Sequence, residues 1–142
     1  MSIGDVTGQG IVPQGGITPV GMIDTITFTI GLAPGTKSVD LEKLNIIYAD
    51  AVRMETLTNV TGYRGIPGQG SWGILSIEHE VGKPNNRLEF EEQARIQINP
   101  KAPILPGQVF TIAVKPQEGN PLILRRVAPQ PIVQDTNNLP PL

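Results

Sequence analysis

Cysteine is absent from this 142-residue sequence, and histidine occurs once, as His79. The chain therefore has no disulfide, no thiolate metal ligand and no cysteine nucleophile, and it cannot build a zinc site from several histidines. An excess of one charge is also absent, because 11 basic and 13 acidic residues give a net charge of −2. Nucleic acids and anionic membranes require clustered Lys and Arg, so we expect neither as the main partner.

Residues arranged for catalysis are missing as well. His79 lies within a predicted strand between Glu78 and Glu80, whose side chains are expected on the opposite face and cannot orient the imidazole. The glycine-rich stretch 62–70 lacks the Gly-Lys-Ser/Thr ending and the following helix of a phosphate-binding loop. We therefore expect that the protein is not an enzyme.

Alternation of apolar and polar residues is the main signal that the chain does carry, and it is clearest over residues 88–99, LEFEEQARIQIN. Only Glu92 interrupts the apolar parity, whose members are Leu88, Phe90, Ala94, Ile96 and Ile98. Successive side chains of a strand point to opposite faces, so the segment predicts one strand with a buried and an exposed face. The same parity argument predicts core positions at Phe90, Ile96, Phe110 and Ile112.

Several other segments show strand patterns separated by turn residues. Strands are predicted at 23–32, 45–49, 52–57, 74–81, 109–115 and 122–127, and one helical turn at 39–44, capped by Ser38 or Asp40. The 16 glycines and 14 prolines supply turns, including those at 33–36 and 82–86. About eight short, mostly antiparallel strands predict an all-β fold, an immunoglobulin-like β-sandwich or barrel.

The domain organisation follows from where the strand patterns begin and end. Residues 22–129 are predicted to form the β-sandwich domain. Residues 1–21 are rich in Gly, Thr, Gln and Pro and are expected to be a flexible N-terminal segment, with at most a short edge strand near Ile11 and Ile17. Residues 130–142 are rich in proline and are expected to leave the fold as a C-terminal tail.

Two acidic residues near predicted turns are candidate metal ligands. Carboxylates in loops can bind Ca²⁺ together with backbone carbonyls, since hard cations prefer oxygen ligands. On this ground Asp50 and Glu55 form a hypothetical site for a structural divalent cation such as Ca²⁺. The alternative is that Asp50 simply ends a strand.

The sequence also contains one Asn-x-Ser/Thr sequon, Asn59-Val60-Thr61. It leads directly into the glycine-rich stretch, and loops of that composition lie on protein surfaces. We therefore expect Asn59 on an exposed loop, where it would be accessible to N-glycosylation if the protein is exported.

Two blocks of the sequence, in a fixed order, carry a family resemblance. The first block, residues 26–50, contains Leu32-Ala33-Pro34-Gly35-Thr36, Val39-Asp40-Leu41 and Tyr48-Ala49-Asp50. The second, residues 109–129, contains Phe110, Lys115, Pro116, Gly119, Arg126 and Pro129. Together with Thr7-Gly8-Gln9 near the start, these blocks resemble archaellins, the major subunits of the archaeal flagellar filament.

The resemblance implies a structural role. It suggests the outer globular domain of an archaellum filament subunit, extracellular and serving cell motility. Archaellins resemble type IV pilins in having a leader peptide and then a long hydrophobic helix that forms the filament core. No such helix occurs in this sequence, so we expect the chain to join copies of itself through that missing helix and to be monomeric alone.

Two other functions stay open at this point. One is a carbohydrate-binding or adhesion β-sandwich module, although such modules present aromatic rings to the sugar. Only six aromatic residues occur here, as three Phe, two Tyr and one Trp, and three of them lie at core parity. The other is a minor archaellum accessory protein with the same β-domain.

Overall fold

The computed structural model describes residues 1–13, 20–32, 37–80 and 85–140. Ile17, the predicted turn at 33–36 and residues 82–84 of the predicted turn at 82–86 lie outside these ranges. Within them the chain forms a 3₁₀ turn, Leu41–Lys43, and eleven strands: β1 Ser2–Ile11, β2 Met22–Gly31, β3 Val39–Asp40, β4 Asn45–Asp50, β5 Met54–Arg64, β6 Ser71–Glu78, β7 Arg87–Leu88, β8 Gln93–Asn99, β9 Val109–Lys115, β10 Leu122–Val127 and β11 Asp135–Asn138. Nowhere in the described ranges is there a helix with the length and apolarity needed to span a membrane.

Nine of these strands form one sheet in the order β10-β9-β4-β5-β6-β8-β2-β1-β11, and β3 and β7 form a separate pair. Neighbouring strands are antiparallel except β5 and β6, which are parallel. The sheet curls until its two edges approach each other, where Arg126 Nε of β10 donates to the carbonyl of Leu139, just after β11, at 2.8 Å. The predicted all-β, sandwich- or barrel-like class is confirmed.

The core lies inside the curl and is built from alternate residues of each long strand. In β8 and β9 the inward side chains are fully or almost fully buried: Ala94, Ile96, Ile98, Phe110, Ile112 and Val114. The predicted core positions Ile96, Phe110 and Ile112 are therefore confirmed. Such burial of apolar surface is the main favourable term in folding.

Phe90 was predicted in the core, and that prediction is wrong, because its side chain is 49% exposed. Residues 88–99 do not form one strand. A turn separates β7 from β8, with Glu91 at φ 71° and the Glu92 amide bonded to the carbonyl of Glu89 at 3.0 Å. Leu88 in β7 and Ala94 in β8 are buried as predicted, but Phe90 lies in the turn between the two strands and faces outward.

The start of the chain was expected to be flexible, but residues 2–11 form β1, which pairs with β2 along its length. Its inward positions include Val6, Gly8 and Gly10, all buried. Gly8 and Gly10 have no side chain, so β1 lies close to the elements beneath it. A methyl at Gly8, for example, would come within 3.0 Å of Ile23.

The end of the chain was expected to leave the fold, and this is also corrected. Residues 135–138 form β11, antiparallel to β1. Ile132 and Leu139 on either side are buried in the core. Asn137 is buried too. Its Oδ1 accepts from the Val133 amide and its Nδ2 donates to the Val133 carbonyl, each at 2.9 Å. These two bonds pair the backbone groups of Val133, which lies outside β11.

Replacing Phe110 by Ala should lower the free energy of unfolding by roughly 3–5 kcal/mol, the usual loss for a buried phenylalanine. Phe110 is 1% exposed and its ring stacks on Tyr48 with centroids 6.0 Å apart. Phe90→Ala is the matched control, since the same atoms are removed from an exposed turn. Urea unfolding of both variants measures the difference, and equal losses would show that the faces of the sheet are wrongly assigned.

Candidate functional site

A polar cluster lies where β4 ends and β5 begins. Tyr48 and Asp50 are two residues apart on β4 and therefore point to the same face. Tyr48 is fully buried, and its hydroxyl donates to Asp50 Oδ2 at 2.8 Å. The Tyr-Ala-Asp block that contributed to the resemblance is thus one hydrogen-bonded unit.

The Asp50 carboxylate accepts four hydrogen bonds. Its Oδ1 accepts from the amides of Val52, at 2.8 Å, and Arg53, at 3.0 Å, which fixes the turn between the strands. Its Oδ2 accepts from Tyr48 and, at 2.8 Å, from Gln108 Nε2. The side chain is only 1% exposed. One carboxylate therefore holds the turn and the residue preceding β9 together.

Arg53 supplies positive charge to the cluster. Its Nε lies 3.4 Å from Glu55 Oε2 and 3.7 Å from Asp50 Oδ2, and Nη2 donates to the carbonyl of Ala102 at 2.7 Å. The guanidinium carbon also sits 5.1 Å from the centre of the Tyr48 ring, a cation–π distance. Arg53 thereby links the turn to the segment that precedes β9.

The structure does bring Asp50 and Glu55 together, but around Arg53. Both Asp50 oxygens already accept two hydrogen bonds each, and Glu55 Oε1 accepts from the Lys101 amide at 3.0 Å. In the described part of the chain, no three His, Asp or Glu side chains form a group that could hold a metal ion. These atoms fit an arginine–carboxylate network, and they do not fit the predicted Ca²⁺ site.

The cluster fixes the protonation of its members. Burial alone would raise the pKa of the Asp50 carboxyl, but the bonds from the Val52 amide, the Tyr48 hydroxyl and the Arg53 amide, with the charge of Arg53, hold that pKa below its ordinary value. Burial, and next the bond to Asp50, raise the pKa of Tyr48 well above its ordinary value. Asp50 is therefore an anion and Tyr48 a neutral donor at neutral pH.

Asn59 was expected in a loop and lies instead in β5, which extends to Arg64 through part of the glycine-rich stretch. Its strand pairs in parallel with β6, Asn59 facing Trp72, and the register then shifts before Arg64. Asn59 and Thr61 are both exposed. The expected exposure of the sequon is confirmed and its assignment to a loop is wrong.

A second polar network, which sequence reasoning missed, surrounds Arg64 at the end of β5. The guanidinium contacts the Glu80 carboxylate at 3.3 Å, the Asn85 carbonyl at 2.6 Å and Asn86 Oδ1 at 2.9 Å. The bond from Arg64 is the main reason that the pKa of Glu80 lies below its ordinary value. Its partners lie 16 to 22 residues away along the chain, so no local sequence motif predicts the network.

Chemically, both clusters hold elements together. In the Asp50 cluster both Asp50 oxygens and Glu55 Oε1 accept bonds from the chain itself, and Glu55 Oε2 is paired with the charge of Arg53. The members come from β4, β5 and the segment before β9, and hydrogen bonds to a charged group are among the stronger ones in proteins. The arrangement is a structural clamp.

A family model for archaeal-type flagellin matches residues 5–126. Among solved structures, the chain resembles the archaeal flagellin FlaB1 of Methanocaldococcus jannaschii, with a TM-score of 0.65 and 16% identity over 94% of this chain and 92% of that one. It also resembles the archaeal flagellum of Methanospirillum hungatei strain JF1, with a TM-score of 0.60 and 18% identity over 95% and 68%.

A weaker likeness extends to the archaellum periplasmic stator protein FlaG of Sulfolobus acidocaldarius. The TM-score is 0.52 and the identity 13%, over 84% of this chain and 96% of that one. No curated protein matches the chain. At these identities the solved structures show a shared fold, and the family assignment comes from the match over residues 5–126.

Asp50→Asn should lower the free energy of unfolding at pH 7 by about 1.5–3 kcal/mol, the usual range for hydrogen bonds to a charged group. The folded pKa of Asp50 lies below the unfolded value of about 3.9. The stabilisation by ionised Asp50 is thus complete above that value and is lost as pH falls through the folded pKa. Urea unfolding from pH 7 to pH 2 should therefore show a shallower acid-side decline for the variant.

Asp5→Asn is the matched control, because Asp5 is an exposed carboxylate outside the cluster. Its unfolding curve should follow that of the native chain at each pH. If Asp50→Asn and the native chain lost stability in parallel below pH 4, the clamp would not depend on the ionised carboxylate.

Added Ca²⁺ should leave the thermal midpoint of the native chain unchanged, since Arg53 already occupies the position between the carboxylates.

Proposed function

We propose that this chain, which belongs to the archaeal-type flagellin family, is the outer globular domain of an archaellum filament subunit and serves cell motility. Its role in the archaellum is structural. The observation that carries the proposal is the family match over residues 5–126, which includes nearly all of both blocks that sequence reasoning singled out. The clamp at Asp50 supports it, because hydrogen bonds within the chain account for that cluster as a structural element.

The proposal includes the absence of enzymatic activity. The flagellin family is a family of structural filament proteins. The buried polar groups around Asp50 are engaged with one another, and Tyr48 is held as a neutral hydrogen-bond donor. The side chains of Tyr48 and Asp50 are both buried, so the Tyr48 hydroxyl is not presented to a substrate as a nucleophile would be.

The alternative of a carbohydrate-binding or adhesion module is not favoured. A sugar-binding face needs exposed rings, but four of the six aromatic side chains, all in described parts of the chain, are buried: Phe28, Tyr48, Trp72 and Phe110. Tyr63 is half-buried, and Phe90 is exposed in the turn before β8. The alternative of an accessory protein rests on the weaker likeness to the stator protein, which concerns the fold alone.

The partners that we propose are copies of this chain, assembled outside the cell. In the family, a hydrophobic N-terminal helix makes the contacts of the filament core. Contacts between outer domains would then be heterologous, because a head-to-tail interface that does not close generates a filament. We expect the 142-residue chain alone to be a monomer, since its two sheet edges already contact each other.

Isolated filaments test the proposal. Filaments sheared from cells that make the chain should yield its tryptic peptides as a major component by mass spectrometry. Deleting the gene should remove those peptides and abolish or impair swimming, and a plasmid copy should restore both. Filaments without the chain, together with normal swimming of the deletion strain, would overturn the proposal.

We also propose that Asn59 carries a glycan in the native filament. Asn59 and Thr61 are exposed on the irregular part of β5, so an attached sugar would meet solvent and not the core. The peptide that spans Asn59, taken from native filaments, should have a mass above that of its amino acids. Asn59→Gln should remove the added mass without loss of thermal stability. An unmodified peptide mass in native filaments would contradict the glycan.

A further inference from the structure

The outer face of one half of the sheet carries exposed apolar side chains with threonines among them. Across β10, β9, β4 and β5, the pairing places Ile123, Ala113 and Ile47 in one row, and Ala49 beside Met54 in the next. Thr56 and Thr111 lie in the same rows. We call this outward side the apolar face after its apolar members: Ile47, Ala49, Met54, Val109, Ala113 and Ile123. Met54 is 76% exposed, Ile123 62% and Val109 38%, so the face meets solvent in the isolated chain.

The apolar face carries charge of one sign. In the paired, fully described stretches of these four strands, the outward charged residues are Lys115 and Arg125, both exposed. Arg125 lies opposite Thr111, in the same row as Ala49 and Met54. The positive charge therefore lies within the apolar rows and at their end.

The other half of the sheet presents a polar outer face. Across β1, β2, β8 and β6 a groove of about 310 Å³ is lined by Asp5, Thr7, Thr29, Glu78, Gln93 and Arg95. We call it the acidic groove, because it contains two carboxylates and one guanidinium. The curl of the sheet brings β10 beside the end of β11, so the two halves turn their outer faces away from each other.

We propose that the apolar face of one copy packs against the polar half of the next copy, with Arg125 directed into the acidic groove between Asp5 and Glu78. The inference rests on the proposed function, because it assigns the surface through which outer domains meet. The charges are complementary, which is what selects partners and register at an interface. The two faces differ and point in opposite directions. Each contact between two copies therefore leaves one apolar face and one polar half free, and these can bind further copies in the same way.

The same charges disfavour a two-fold dimer. An isologous contact between two apolar faces would bring Lys115 and Arg125 of each copy together, and like charges at an interface cost several kcal/mol. Size is a second limit. Four strands about 4.8 Å apart and three cross-strand rows cover on the order of 400 Å², about half of the ~800 Å² per partner of a stable complex.

A contact of this small area is consistent with a chain that is monomeric when it is alone and makes the contact only in a filament. Alone, the chain would associate weakly. In a filament, subunits already held side by side are at high effective concentration, and a weak contact then forms without new affinity. The contact would fix the register of neighbouring outer domains and would not drive filament assembly.

Cross-linking tests the proposal directly, because the native chain has no cysteine. Two single-cysteine variants, Ile123→Cys on the apolar face and Gln93→Cys in the acidic groove, leave Arg125 and Glu78 intact. The purified variants, one of them isotope-labelled, are mixed at high concentration and low salt and treated with a short bismaleimide. We expect the mixed dimer to exceed either homodimer about tenfold, a preference of about 1.4 kcal/mol. Thr136→Cys, exposed on β11, replaces Gln93→Cys as the control and should give only the statistical yield.

Charge reversal identifies the groups responsible. Arg125→Glu added to the first variant should remove the excess of mixed dimer, and Glu78→Arg added to the second should restore it. Lys43→Glu makes the same change in net charge on the 3₁₀ turn and should have no effect. An excess of Ile123→Cys homodimer, or statistical yields for every pair, would overturn the proposal. The measurement uses the purified chain, so its result does not depend on whether filaments contain the chain.

Discussion

The close packing of the C-terminal segment on two glycines of β1 holds the curled sheet closed. A methyl group at Gly10 would collide with the carbonyl of Val133 and lie 2.9 Å from Ile132, and one at Gly8 would lie 3.3 Å from Leu139. Because these positions lack side chains, β11 can add to β1 and its flanking residues can enter the core. The same approach places the Leu139 carbonyl where Arg126 of β10 donates to it.

Closure has consequences for the surface. An open nine-stranded sheet would expose the backbone groups of two edge strands, which are ready templates for unwanted pairing. Here the edges meet through a side chain. Burial of Arg126 at this junction lowers the pKa of its guanidinium, which remains charged. A closed sheet also gives the molecule two outer sides of different chemistry, one apolar with basic residues and one polar with an acidic groove. A structural subunit acts through such surfaces and not through a pocket.

The sequence predicted those strands whose inward positions are large and apolar. The patterns at 109–115 and 122–127 coincide with β9 and β10. It failed where inward positions are Gly8, Gly10 or Asn137, because none of these contributes a hydrophobic signal. It also failed at Phe90, because alternation alone does not reveal that this residue lies in a turn between two strands.

The candidate site was predicted in part for a similar reason. Turn-located carboxylates correctly indicated that Asp50 and Glu55 lie together. The donors that surround them come from Arg53, Gln108 and the backbone of Lys101, and only the fold brings the last two beside the turn. Sequence reasoning therefore proposed a metal ion at a place where the chain supplies an arginine.

Amide hydrogen exchange of Gly10→Ala against Gly4→Ala tests the closure most directly. A methyl at Gly4 meets nothing within 4 Å, so that variant should keep the native thermal midpoint and protection pattern. Gly10→Ala should lose protection in β11 and at Leu139, whose amide donates to the Val6 carbonyl at 3.0 Å, and should lose about 1–3 kcal/mol, the usual cost of overpacking. Equal protection of β11 in both variants would contradict the account, because the ends of the chain would then not depend on the close approach at Gly10.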